Sequence, residues 1–164
     1  EKMKKIVNGI VDANPKLCAT EDFIGIMHNL LQMTMDDKVF AVLSLFKVIK
    51  DVTSDALLEL LSQGPLLRVA TEIVDSEQFD IATNTIKELL CFFNLGIQSG
   101  LSNPFYAVLV KYVTSPSFVF TLQEIEERSE GELSDAACEF LLAMHEEGLG
   151  LEQDQEEFIQ SSLL

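Results

Sequence analysis

A chain of 164 residues with 48 % hydrophobic residues is long enough to bury a core and too apolar to be disordered by composition. A net charge of −16 argues against nucleic acid and anionic membrane as partners. No apolar run reaches the ~20 residues of a membrane-spanning helix. The charge is uneven: from Thr121 to Leu164 thirteen acids accompany one base, Arg128. The chain opens on Glu1 with no initiator Met and no signal-peptide pattern, as expected of a fragment of a longer protein. Its three cysteines, Cys18, Cys91 and Cys138, are far apart and set in apolar stretches. They read as buried free thiols in a reducing compartment, cytoplasmic or nuclear. Without a CxxC or a Cys/His cluster no metal site is expected, and His28 and His145 each read as a satisfied or surface histidine.

In chain order, residues 3–13 form a helix with Ile6, Val7 and Ile10 on one side, stopped by Asn14-Pro15. Thr20 caps the next helix, whose Phe23, Ile26, Met27, Leu30 and Leu31 face a core. Asp36 or Asp37 caps a long helix over 37–51, with Val39, Val42, Leu45, Phe46 and Ile49 at helical spacing. A short helix over 54–64 ends at Gly64, and Pro65 suits the first turn of a third helix over 65–75. A second long helix over 79–95 carries Ile81, Ile86, Leu89, Leu90 and Phe93. Residues 96–103 are rich in Gly and Ser and read as a loop. Helices over 104–113, 118–128 and 132–146 follow, the last with Leu133, Ala136, Ala137, Phe140, Leu141 and Met144 inward. Gly148-Leu149-Gly150 breaks the pattern before an acidic C-terminal tail over 151–164.

The fold class is all-α. Long helices about 40 residues apart predict an armadillo/HEAT-like right-handed α-solenoid. Its domain spans 1–150: a partial repeat over 1–35, then repeats over about 36–76, 77–116 and 117–150.

The run from Lys38 to Leu43, then Ser54 to Gly64, then Leu66 to Val69, resembles an armadillo repeat. Within that superfamily the chain is similar to the C-terminal repeats of importin-α, in which Leu122 to Glu127, Glu132 and Ala136-Ala137 match the last repeat before an acidic tail. The resemblance implies a nuclear-transport adaptor whose concave groove holds a lysine-rich peptide on a Trp and Asn ladder, and an export receptor that grips the last repeats with a small GTPase. Counting from Gly64 puts Leu43 at the Trp position and Lys47 at the Asn position. The neighbouring rungs fall at Lys4/Asn8 and Ile86/Leu90. Only Asn8 matches, and the chain has no Trp. Lys4 and Lys47 would repel a basic peptide, so the groove has departed from the family's pattern.

Enzyme chemistry is not expected. Cys91 sits among Leu89, Leu90, Phe92 and Phe93, a core setting, and no Gly-rich phosphate loop, HExxH or GxSxG appears. No cofactor is called for. The expected function is a non-catalytic scaffold binding a protein or peptide with a basic surface. The alternative is a structural or self-associating helical-repeat module. Glu124, Glu126, Glu127, Glu130 and Glu132, around the last inter-helix turn, are the candidate partner-binding residues, together with Asn8, Leu43 and Lys47 of the groove.

Overall fold

The computed structural model describes residues 2–76, 78–100 and 102–148. The expected acidic tail lies outside the described residues. The described residues are helical, with no strand among them: α1 (Lys2–Ala13), a 3-10 turn (Pro15–Cys18), α2 (Glu21–Leu30), α3 (Met35–Ile49), α4 (Asp55–Gln63), α5 (Leu66–Val74), α6 (Phe79–Gln98), α7 (Pro104–Val113), α8 (Pro116–Arg128) and α9 (Glu132–Glu146). No single helix among them is long and apolar enough to cross a membrane.

Side-chain caps set the starts of α2, α3, α4 and α7. Thr20 accepts the Phe23 amide at 3.2 Å, Ser54 accepts that of Leu57, and Asn103 accepts those of Phe105 and Tyr106. The long helix α3 is capped by Thr34, not by Asp36 or Asp37. The Thr34 hydroxyl accepts the Asp37 amide and donates to the Asp37 carboxylate at 2.8 Å. The acid thus supports the cap from inside the first turn, where the helix dipole favours it. Pro65 sits just before α5 as its N-cap.

The helices recur as triplets. The helices α4, α5 and α6 are followed by α7, α8 and α9; α4 packs on α7, and α6 packs on α9. Corresponding helices start at residues 55 and 104, 66 and 116, and 79 and 132. That step is longer than the interval read from the sequence, and longer than the roughly 40–47 residues usual for armadillo and HEAT repeats. At the N-terminal end, ion pairs tie Lys4 to Asp37 and Asp12 to Lys47, both at 2.7 Å. Start meets start and end meets end, so α1 and α3 run in the same direction. The core between layers is aromatic. Phe46 of α3 meets Phe92 of α6 at 5.3 Å, and Phe140 of α9 meets both Phe93 of α6 and Phe118 of α8 at 5.7 Å. Buried Thr83 and Thr85 donate back to the Phe79 and Ile81 carbonyls of their own helix, so neither hydroxyl needs a partner from another layer.

Three expectations about the core are corrected. Cys91 is exposed. The buried arc of α6 is wide, but Lys87, Cys91, Asn94 and Gln98 recur every three or four residues and form its outward stripe. Ile26 faces outward for the same reason, and Ile24 takes its place in the core of α2. Gly96 does not end α6. It is buried within the helix, where a Cβ would lie 3.1 Å from Val110 and 3.2 Å from the Tyr106 side chain. The absent side chain lets α7 approach closely, and the loop begins only after Gln98.

Gly64 is also a matter of space. Its backbone is ordinary extended chain, and a Cβ there would lie 2.6 Å from Cε1 of His28. His28 is thus neither a surface nor a satisfied histidine: its Nε2 is buried, with no hydrogen-bond partner among the described residues.

Candidate protein-binding surface

The turn between α8 and α9 is built from a tight set of backbone constraints. The Ser129 amide donates to the Ile125 carbonyl at 2.9 Å and closes α8. Gly131 then adopts φ 69 and ψ −143, close to a region that only glycine enters without strain. The Ser134 hydroxyl donates to the Glu126 carbonyl at 3.0 Å and ties the start of α9 to the last turn of α8. Gly131 also lies against Phe79, the first residue of α6, which leaves much of its ring in solvent.

Around this turn Glu126, Glu127, Glu130 and Glu132 are exposed, whereas Glu124 is half-buried. Glu124 pairs with Arg128 at 3.1 Å, the i,i+4 partner on the same helix. Such an exposed pair contributes little to stability, but it neutralises the base that would interrupt the acidic segment. Glu132 and Asp135 stand in the first turn of α9, where the helix dipole stabilises negative charge. Cys138, one turn further, is half-buried. Burial first, then the Glu126 carboxylate and Asp135, push its thiol above the ordinary cysteine range. A thiol held protonated in this way is a poor nucleophile.

The three groove residues are spread over α1 and α3. Asn8 and Leu43 are half-buried, and Lys47 is exposed. The remaining rung positions are corrected: Ile86 and Leu90 are buried in the core of α6 and present nothing to a ligand. Lys4 and Lys47, expected to repel a basic peptide, each have an acid partner. Lys4 bonds to Asp37 and stands 5.8 Å from the centre of the Phe40 ring, while Lys47 bonds to Asp12. Lys4, then Thr34, holds the Asp37 carboxyl below the usual carboxylate range. Spacing from Gly64 did not reveal these pairings, because both acids come from neighbouring helix faces.

A lysine-rich localisation peptide is therefore expected to bind residues 1–164 weakly or not at all. The reason is the missing aromatic platform for lysine stems, with Lys47 standing where the ladder would place an Asn. Titration calorimetry checks this, and micromolar or tighter binding would count against it.

Among the described residues no group of three His, Cys, Asp or Glu side chains is placed to hold a metal ion. No family model matches this sequence, and neither a curated protein nor a solved structure matches it at significant similarity.

Proposed function

We propose that this chain is a non-catalytic protein-binding scaffold of the armadillo/HEAT kind, its triplets stacked as a right-handed α-solenoid. We further propose that the acidic turn between α8 and α9 docks a partner with a basic surface. The observation that carries the reading is the repeated triplet, in which α4 lies on α7 and α6 on α9. One triplet cannot cover its own apolar faces, and stacking covers them while leaving an extended surface for partners. The exposed acids on a turn pinned by Gly131 and Ser134 supply the charge.

The resemblance to the last repeats of importin-α narrows the proposed partner to an export receptor carrying a GTP-bound small GTPase, in the nucleus or cytoplasm. The non-catalytic reading rests on residue types: the motifs that mark nucleophiles, phosphate loops and zinc sites are missing from the sequence.

The test is the triple reversal Glu126→Lys, Glu127→Lys and Glu130→Lys in the full chain, read by surface plasmon resonance against the receptor–GTPase pair. All three side chains are exposed, so helical circular dichroism should not change. Association should slow, and added salt should slow the unmodified chain as well, because the field is screened over about 8–10 Å at physiological ionic strength. Capture that ignores both the reversal and salt would leave the acidic turn as a solubilising face only.

A further inference from the structure

Most hydroxyl groups at the helix ends are occupied. Thr20, Thr34 and Ser54 accept cap bonds from amides, and Ser76, Ser99 and Ser115 donate to the carbonyl three residues back. The Ser129 hydroxyl, at the end of α8, has no hydrogen-bond partner among the described residues. Its backbone is extended, with φ −108 and ψ 165, and it lies with Glu130 outside both flanking helices. Its side chain is half-buried, so the hydroxyl is reachable.

The charge around this serine is one-sided. Glu126 and Glu127 stand three and two residues before it, Glu130 and Glu132 one and three residues after it, and all four are exposed. Arg128, next to it, is paired with Glu124. Thr53 and Ser117 also have unbonded hydroxyls, but neither has an acid at the next or the third following position. The place of the turn in the stack keeps it open. The corresponding turn between α5 and α6 has a further triplet packed after it, and there Asp75 and Gln78 are still exposed.

We propose that Ser129 is a phosphorylation site for an acid-directed serine kinase, an enzyme whose substrate cleft is basic. The extended backbone carries the hydroxyl into such a cleft, and the acids on either side pair with its lysines and arginines. The Ser129 Oγ attacks the γ-phosphorus of ATP. An Oγ–P bond forms, the bond from that phosphorus to the bridging oxygen breaks, ADP leaves, and the hydroxyl proton passes to the kinase's carboxylate base. The phosphate adds about −1.5 to −2 charge at neutral pH. It deepens the field of the acidic turn and speeds encounter with a basic surface. That consequence rests on the docking reading proposed above, whereas the modification does not.

Incubating the full chain with a casein-type acid-directed kinase and ATP tests it, read by intact mass and fragment mapping in a mass spectrometer. The expected result is a single phosphoryl group, on Ser129. Ser129→Ala should abolish it, and Ser76→Ala, at the corresponding turn, should leave it unchanged. Glu130→Gln with Glu132→Gln should slow incorporation severalfold with circular dichroism unaltered. A chain left unmodified at Ser129 overturns the proposal. So does incorporation indifferent to the loss of Glu130 and Glu132. So does a peptide of residues 123–136 that is modified while the folded chain is not, because the turn then hides its serine. Modification at Ser129 that leaves association with the receptor–GTPase pair unchanged keeps the site and overturns its effect on docking.

Discussion

Replacing Phe46 by Ala is expected to lower folding stability by about 3–5 kcal/mol, the range for removing a large aromatic ring from a packed core. Phe46 is 1 % exposed, and its ring meets Phe92 across the boundary between α3 and α6. Urea unfolding followed by circular dichroism measures the loss. A double-mutant cycle with Phe92→Ala should return a coupling of about 0.5–1.5 kcal/mol for the ring pair. A loss near zero for Phe46→Ala would mean that α3 and α6 do not share this seam.

The second large effect is expected at Gly64. Substitution by Ala places a methyl group 2.6 Å from Cε1 and 2.7 Å from Nε2 of His28. The half-buried imidazole must shift to admit the methyl group, and the cost should be about 1–3 kcal/mol, as for overpacking elsewhere. Adding His28→Ala should recover most of that loss, because the clash is with this ring and not with backbone. The same ring predicts a pH dependence. Burial holds His28 below its ordinary range, so the folded protein keeps it neutral where the unfolded chain, titrating near about pH 6.5, takes up a proton. The unfolded state then binds more protons. The stability this supplies is complete above about pH 6.5 and declines as the pH falls below it, until folded His28 is itself protonated. Thermal unfolding across that window should show the decline, and it should be shallower in His28→Ala. An unchanged slope in the variant would remove His28 as its source.

Much of the helical frame was legible in the sequence because local signals agreed. Thr20 with the periodicity that follows it, and the apolar spacing of α9 before its glycine stop, pointed the same way as the structure. The misreadings share a cause: a residue type was taken as punctuation or as core without regard to the neighbouring helix. Gly96 looks like a stop but lies inside α6, small because Tyr106 and Val110 cross it; Gly64 does follow the end of α4, as read, yet it too is small because a side chain, His28, crosses it. Cys91 has four large apolar neighbours in sequence, yet a helix of 3.6 residues per turn sets it on the opposite side from them. The acidic turn was visible from composition alone. The pairing of Lys4 and Lys47 was not, since it depends on how α1 lies against α3.

The three thiols lie at three depths. Cys91 is open to solvent, Cys138 is half-covered on α9, and Cys18 is buried in the turn that joins α1 to α2. Burial raises the Cys18 thiol above its ordinary range, so it is protonated as well as hidden. With no disulfide formed among them, each remains available to an alkylating reagent at the rate its surroundings permit. Cys91 reports on the reagent, Cys138 on local breathing of the last triplet, and Cys18 on detachment of the first helix. The chain thus carries its own clock for the order in which its two ends come loose.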